Sequence, residues 1–216
     1  MACNWEPSPA NLVRTLALHL AQEPLQHRQI IAIAGPPGSG KTTLTEILKR
    51  LLEEEHGPVS LLPMDGFHLH NSTLQQLGKA AIKGHPSTFD SAAYLAFLER
   101  AHRSGTALAA PVFDHGVGEP VDNALPIPPE AQVILTEGNY LLSRDFPWAG
   151  IRQHCSATIF LDIPWPVCRE RLIARRLSIG QDITSTLDWV DRSDQANYAY
   201  VMDQSDRSGV ITVKNG

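Results

Sequence analysis

The chain alternates short apolar runs with longer segments in which apolar residues recur at helical spacing. The clearest apolar run is IIAIAG at residues 30–35, which contains β-branched and small residues and is followed by two prolines. Its composition and length predict a strand that is buried on both faces of a sheet. From Lys41 onward five apolar residues fall on one side of a helix: Leu44, Ile47, Leu48, Leu51 and Leu52. A helix therefore follows the first predicted strand after a short loop.

Four more segments have the character of strands, and helical stretches separate most of them. They are VSLLPM at residues 59–64, QVILTEG at 132–138, ATIFLDIP at 157–164 and GVITVKN at 209–215. Near the start, Ser8 and Pro9 are typical of the N-cap and first position of a leading amphipathic helix. Its apolar positions are Leu12, Val13, Leu16, Ala17 and Leu20. The alternation predicts a doubly wound α/β fold with a mostly parallel sheet and helices on both faces.

Residues 106–129 depart from this rhythm, because they contain five of the sixteen prolines. Their pattern predicts a hairpin or an extended excursion rather than another helix. We expect this excursion to lie on the substrate side of the sheet.

Length and composition predict one domain spanning residues 1–216. A chain of 216 residues that is 43% apolar can bury about 70% of its unfolded surface in one core. The net charge is -5 and no run of Lys or Arg exceeds two residues, which argues against a nucleic-acid partner. The cysteines are odd in number and widely spaced, so we expect reduced thiols at Cys3, Cys155 and Cys168.

The N-terminal segment lacks the features of a targeting or membrane sequence. It has no basic n-region, and Arg14 and His19 interrupt its apolar stretch. These features predict a cytoplasmic protein without a membrane partner. The sequence leaves open whether the chain forms a homodimer.

The segment GPPGSGKT fits the pattern G-x-x-x-x-G-K-[ST] between a predicted strand and a predicted helix. Glycines allow backbone N–H groups to surround phosphate, and the helix N-terminus adds positive potential. Lys41 is expected to reach the β- and γ-phosphates, Thr42 to place its hydroxyl on Mg²⁺, and Thr43 to contact the α-phosphate. The predicted ATP-binding residues of this loop are Gly35, Pro36, Pro37, Gly38, Ser39, Gly40, Lys41, Thr42 and Thr43.

Two predicted strands run directly into an acid, Asp65 in one case and Glu137 in the other. Ligands gather at the carboxyl ends of parallel strands, so both acids are candidate catalytic residues. Asp65 could accept the proton of an attacking hydroxyl while Gly66 lets the chain turn away. Glu137 could lie near Mg²⁺ through a bound water, or it could help to orient the acceptor. His68 and His70 have the spacing of metal ligands, but no third ligand is evident, which favours a polar pocket lining.

Six segments resemble, in order, the uridine kinase, phosphoribulokinase and pantothenate kinase family: GPPGSGKT, PMDGFH, KGHPSTFD, PVFDH, TEGNYLL and RERLIARR. The similarity spans about residues 30–180 and looks closest to a bacterial subgroup described as nucleoside/nucleotide or fructose-transport-system kinases. It implies a P-loop kinase with a five-stranded parallel sheet, ATP and Mg²⁺. It also implies that Asp65 is the catalytic aspartate that follows the second strand, that Glu137 is the carboxylate of the E-G motif, and that Asp90 holds sugar hydroxyls.

On the acceptor side the chain also departs from that family. Lys83 matches a lysine that pantothenate kinases carry near the acceptor, but His68 and Phe113 stand where uridine kinases carry tyrosines. The histidine with which uridine kinases read the pyrimidine is missing after PVFDH. Uridine and cytidine are therefore less favoured acceptors, and the acceptor stays open. The candidate substrate-binding residues are His68, Lys83, Phe89, Asp90, Phe113 and Asp114.

Four arginines lie on one predicted helix, which resembles the family's mobile lid at about residues 168–183. An inward-face argument favours Arg169 and Arg176 as phosphate ligands. The family alignment favours Arg171 and Arg175, and we predict that this second pair binds ATP.

These features predict an ATP-dependent kinase that transfers the γ-phosphoryl group to a hydroxyl of a small metabolite. The sequence leaves a sugar, a nucleoside and a pantothenate-like alcohol open as the acceptor. The alternative is a nucleotide-binding regulatory or metabolite-sensing protein of the same fold without transfer activity. The chain has no N-K-x-D motif, which disfavours a GTPase.

Overall fold

The structure is a computed structural model, and it describes residues 5–22, 27–103 and 105–215. The described strands are β1 (Trp5–Glu6), β2 (Gln29–Ala34), β3 (Val59–Pro63), β4 (Leu108–Asp114), β5 (Glu119–Ile127), β6 (Val133–Gly138), β7 (Ala157–Asp162) and β8 (Ile211–Asn215). The described α-helices are α1 (Pro9–Gln22), α2 (Lys41–His56), α3 (Asn71–Gln76), α4 (Ser91–Arg103), α5 (Trp165–Ser178), α6 (Ile183–Trp189) and α7 (Gln195–Gln204). None of these helices is long and apolar enough to cross a bilayer.

The central sheet has the strand order β1-β8-β7-β2-β6-β3. Its five strands from β8 to β3 are parallel, which confirms the predicted α/β architecture. The sheet also has an antiparallel edge strand, because Trp5 and Glu6 pair with the end of β8. Our sequence analysis did not predict this strand, since two residues are too few to show a period.

Strand β2 lies at the centre of the sheet and is buried along its whole length, as predicted. Its alternate residues face two separate cores. Ile30, Ala32 and Ala34 pack on the side of α4 and the β4–β5 hairpin. Ile31 and Ile33 pack on the side of α1 and α2. Helices therefore cover both faces, and the carboxyl end of β2 opens into the loop before α2.

Helix α1 begins at the predicted position. The Ser8 hydroxyl accepts a hydrogen bond from the Asn11 backbone N–H at 3.4 Å, and Leu12, Val13 and Leu16 are buried. The side chains of Ala17 and Leu20 lie outside the described residues. Cys3 also lies outside them, while Cys155 and Cys168 are free cysteines.

The predicted excursion is an antiparallel hairpin formed by β4 and β5. It passes over the single helical turn Met64–Phe67 that follows β3. A Cβ atom on Gly66 would lie 2.2 Å from the Pro111 carbonyl oxygen. We attributed this glycine to a turn of the chain. The structure gives a different reason, because the hairpin backbone leaves no room for a side chain at Gly66.

Replacing Gly66 by alanine is expected to destabilise the protein by at least about 1–3 kcal/mol, because a backbone carbonyl cannot rotate away as a side chain can. The matched control is Gly105→Ala, at a glycine near the hairpin with nothing within 4 Å of an added Cβ. Urea unfolding of both variants measures the effect. Equal unfolding midpoints for the two variants would contradict the close approach seen here.

Candidate active site

The predicted chemistry converges on a cleft of about 320 Å³ at the carboxyl ends of the parallel strands. The loop before α2 forms its floor, and the ends of β3 and β6 supply Asp65 and Glu137. The hairpin closes one side, and α5 together with the segment leading into α7 closes the other. The cleft therefore joins the predicted nucleotide side to the predicted acceptor side.

The loop at residues 35–40 depends on two glycines with left-handed backbones, Gly38 with φ +76° and Gly40 with φ +95°. Space is also restricted at both positions. A Cβ on Gly38 would lie 2.6 Å from the Cys168 carbonyl oxygen, and one on Gly40 would lie 3.0 Å from the Trp5 ring. Because α2 begins at Lys41, this loop directs the first N–H groups of α2 into the cleft. A cradle of this kind fits a polyphosphate.

Lys41 is held over the loop by three hydrogen bonds. Its ammonium group donates to the carbonyl oxygens of Gly35 and Pro36, both at 3.0 Å, and to Asn139 Oδ1 at 2.7 Å. Burial lowers the pKa of Lys41, while the Glu137 and Asp65 carboxylates act in the opposite direction. These carboxylates favour the charged ammonium in the cleft.

Thr42 and Glu137, the two predicted magnesium ligands, contact each other directly. The Thr42 hydroxyl donates to Glu137 Oε1 at 2.9 Å. Burial raises the pKa of Glu137, and Lys41 opposes that shift. A hydroxyl and a carboxylate are oxygen ligands of the type that Mg²⁺ prefers. Within the described residues no cluster of three His, Cys, Asp or Glu side chains could hold a metal on its own.

His68 lines the cleft, whereas the exposed His70 contacts Glu119 of the β4–β5 hairpin. His68 Nδ1 is 2.8 Å from the Asp65 carbonyl oxygen, and His70 Nδ1 is 2.7 Å from Glu119 Oε2. His68 stacks between Phe89 and Phe113, with ring centroids 3.9 and 4.6 Å away. Burial lowers the pKa of His68. It therefore contributes a mainly neutral aromatic wall beside Asp65.

Lys83 lines the cleft on the same side as His68 and Phe113. Its ammonium lies 5.2 Å from the centroid of the Phe113 ring and donates to Asn71 Oδ1 and the Gly118 carbonyl oxygen. Burial lowers the pKa of Lys83. The three predicted residues His68, Lys83 and Phe113 thus meet at one wall of the cleft.

The other three predicted substrate residues do not line the cleft. Phe89 is buried behind His68. Asp90 Oδ1 accepts from the Ala93 N–H at 2.8 Å and so caps α4. Asp114 Oδ1 accepts from the N–H groups of Gly116 and Val117 in the hairpin turn. In this structure Oδ1 of each carboxylate therefore serves a helix cap or a turn, and the placement of both residues at the acceptor stays a prediction.

The two arginine pairs of α5 face different neighbours. Arg171 Nη1 donates to the Ser39 carbonyl oxygen at 3.0 Å, and Arg175 lines the cleft near Lys41. Arg169 instead makes a bidentate pair with Asp191, at 2.6 and 2.8 Å. Arg176 also borders the cleft, but its guanidinium is 3.3 Å from Asp194 Oδ2. The pair favoured by the alignment, Arg171 and Arg175, therefore lies nearer the phosphate loop.

Comparison with known proteins is consistent with this geometry. The model of the phosphoribulokinase / uridine kinase family matches residues 30–215. The chain belongs to this family. The Schizosaccharomyces pombe protein named "Putative uridine kinase C227.14" is 33% identical over 192 residues, which are 84% of this chain and 82% of that protein. A pantothenate kinase from Chelativorans sp. (strain BNC1) is 30% identical over 160 residues, 70% of this chain but only 50% of that enzyme.

A solved structure shows the same architecture over nearly the whole chain. It is described as a "putative fructose transport system kinase" from Silicibacter sp. TM1040, and it is 30% identical with a TM-score of 0.86. The match covers 92% of this chain and 95% of that one. As a member of the kinase family, the chain is a phosphotransferase that uses an alcohol group of a small metabolite as acceptor.

The structure adds site residues that our sequence analysis of this kinase missed. Asn139 accepts a hydrogen bond from Lys41. Its position directly after Glu137 and Gly138 in the segment TEGNYLL could have identified it as a site residue. Trp5 packs against Gly40 from the antiparallel edge strand, and no local pattern links these two positions. His115, Ser193 and Asn197 also line the cleft.

Replacing Arg171 by alanine is expected to weaken MgATP binding about tenfold or more, because a charge-assisted contact at the phosphate loop is lost. Arg169→Ala is the matched control, since it removes an arginine of the same helix that pairs with Asp191. Isothermal titration with a nonhydrolysable ATP analogue measures both affinities. A larger loss of nucleotide affinity in Arg169→Ala than in Arg171→Ala would contradict the assignment of Arg171 to the ATP-binding face of α5.

Proposed function

We propose that this kinase transfers the γ-phosphoryl group of ATP to a hydroxyl of a sugar, a nucleoside or a pantothenate-like alcohol. The observation that carries the proposal is the convergence of Lys41, Asp65 and Glu137 on one cleft. A phosphate loop borders that cleft on one side and an aromatic wall on the other.

The nucleotide side would hold ATP through the amides of residues 35–43 and the ammonium of Lys41. Thr42 and Glu137 would hold Mg²⁺, which neutralises phosphate charge when it is bound. Lys41 and Asn139 already fix each other in position. This contact holds the ammonium group in place, and preorganised charge of this kind stabilises a transferring phosphoryl group.

Asp65 would act as the general base at the acceptor hydroxyl. It follows β3 on the rigid turn that the hairpin covers, and it lines the cleft with Lys41. A carboxylate in this place can take the hydroxyl proton as the oxygen attacks phosphorus. The wall of His68, Lys83 and Phe113 would orient the rest of the acceptor.

Residues 168–183 would act as the lid. They form most of α5 and the turn that leads to α6, where Gly180 has φ +85° and open space around it. Closure would bring Arg171 and Arg175 over the phosphates and exclude water, which limits ATP hydrolysis. The free thiols of Cys155 and Cys168 support a cytoplasmic site of action.

An ADP-release assay with MgATP and separate sugars, nucleosides and pantothenate analogues tests this proposal. We expect ADP formation that depends on one class of alcohol and exceeds the rate in water alone. ATP binding without acceptor-dependent ADP release from any of these compounds would favour the regulatory alternative instead.

A further inference from the structure

Trp5 is a buried aromatic residue whose ring meets the phosphate loop from the edge of the sheet. Two atoms at the six-membered end of its indole ring lie 3.0 and 3.5 Å from the position that a Cβ atom on Gly40 would take. The residue is only 6% exposed, although its strand β1 contains just two residues. Trp5 is not among the described residues that line the cleft, so any effect on a nucleotide passes through the loop.

The indole ring is also the main anchor of β1. Two residues that pair with the end of β8 supply few backbone hydrogen bonds, and so short a strand has little stability of its own. A tryptophan ring, by contrast, buries roughly 150–250 Å². The Trp5 ring packs in the core on the side of α1 and α2, together with Leu16 and Leu44. One side chain thus ties the edge strand to the core and reaches the loop.

Gly40 is the point at which the phosphate loop becomes α2. Its backbone is left-handed, with φ +95°, and no side chain caps the helix there. Its carbonyl oxygen accepts a helical hydrogen bond from the Leu44 N–H at 3.0 Å. The nearest atoms on its Cβ side belong to Trp5 and to Arg171, whose Nη1 lies 3.6 Å from the same Cβ position. Because Arg171 also donates to the Ser39 carbonyl oxygen, both residues support the last turn of the loop.

The support of Gly40 affects nucleotide affinity because a glycine has no Cβ to restrict its backbone. Only a loop that points the first N–H groups of α2 into the cleft can bind phosphate. The apparent affinity of a ligand falls in proportion to the fraction of protein in the binding-competent state. Contact with the Trp5 ring removes conformations in which Gly40 moves towards β1. Trp5 therefore raises the competent fraction of the loop.

We propose that Trp5 is a positioning residue for nucleotide binding, which braces Gly40 in the geometry that the phosphate cradle requires. The inference rests on the proposed function, because it takes residues 35–43 as the ATP site. It gives the edge strand β1 a role in ATP affinity that the phosphate-loop motif does not contain. Because coupling free energies are reciprocal, bound nucleotide must in turn stabilise the docking of β1.

Titration with a nonhydrolysable ATP analogue and Mg²⁺ tests the affinity part of the inference. Trp5→Ala should weaken binding about tenfold, which corresponds to an unbraced loop that is competent about one-tenth of the time. Trp5→Phe keeps an aromatic side chain in the core, but its shorter ring withdraws from Gly40. It should therefore lose affinity at least about threefold, with a smaller loss of thermal stability than Trp5→Ala.

Leu16→Ala is the matched control, because Leu16 is a fully buried residue of the same core on α1. It should lower the melting temperature through the cavity that it leaves, while nucleotide affinity below that temperature stays within about twofold of wild type. Affinity then follows contact with Gly40 and not stability. Unchanged affinity in both Trp5 variants, or an equal loss in Leu16→Ala, would overturn the inference.

Hydrogen exchange followed by mass spectrometry tests the reciprocal coupling. We expect the peptide that carries β1 to exchange more slowly when the analogue and Mg²⁺ are bound, and this protection to shrink in Trp5→Phe. Residues 148–154, which do not line the cleft, serve as the internal control. Equal exchange of β1 in the free and the bound wild-type protein would contradict the coupling.

Kinetics separate this inference from the proposed function. Trp5→Phe should raise the KM for ATP at least about threefold, with kcat and the acceptor KM changed less than about twofold. A wild-type KM for ATP in both Trp5 variants, with acceptor-dependent transfer intact, would contradict the inference alone. Nucleotide binding that depends on Trp5, without transfer to any alcohol, would contradict the proposed function alone.

Discussion

Replacing Asp65 by asparagine is expected to slow phosphoryl transfer by about 10²–10⁴-fold, the usual contribution of a general base. Asparagine keeps the size of the side chain but cannot accept the hydroxyl proton. Because the phosphate loop lies on other elements, MgATP affinity should change less than about threefold. Steady-state kinetics with the best acceptor, together with nucleotide titration, measure the two effects.

Asp114→Asn is the matched control for this substitution. Asp114 is also an aspartate close to the substrate side, but its carboxylate binds the hairpin turn and does not line the cleft. Asparagine is well tolerated in such turns, so this variant should keep near-normal kcat. A wild-type rate of phosphoryl transfer in Asp65→Asn would show that Asp65 is not the general base.

Replacing Lys41 by methionine is expected to lower kcat/KM by at least about 10²–10³-fold, the range found when one preorganised donor to a developing charge is lost. The effect should appear both in MgATP affinity and in the transfer step, since the ammonium contacts phosphates throughout the reaction. Methionine preserves the apolar part of the side chain, so the melting temperature serves as a check on folding.

Lys49→Met is the control for the lysine variant. Lys49 lies on the same helix but pairs with Glu53 on its outer surface. Its loss should leave the kinetic constants unchanged, because the Lys49–Glu53 pair does not line the cleft and an exposed ion pair contributes little to stability. Equal activity of the Lys41 and Lys49 variants would contradict the proposed phosphate cradle.

The sequence predicts the nucleotide half of the site well because its determinants are local. The strand β2, the glycine loop and α2 are adjacent in the chain, and the left-handed Gly38 and Gly40 show why glycine is required. Asp65 follows β3 and Glu137 lies near the end of the adjacent strand β6, so parallel pairing brings them together. Local patterns were therefore sufficient to place these groups around one cleft.

The acceptor half depends on contacts between distant segments, and the sequence predicts it less completely. The role of Asp90 as a helix cap of α4 depends on where that helix begins, which local sequence does not determine. The choice between arginine faces depends on where Asp191 and Asp194 lie, and no periodicity in α5 reveals that.

The fate of the γ-phosphate tests the central claim most directly. The protein is incubated with Mg²⁺, γ-³²P-labelled ATP and the acceptor that gives the largest ADP release, and the products are separated by thin-layer chromatography. Our account predicts that the label moves to an alcohol phosphate in equal amount to ADP, and that Asp65→Asn forms this product at least about 10²-fold more slowly. Label that appears only as inorganic phosphate, or that remains on ATP, would contradict the account.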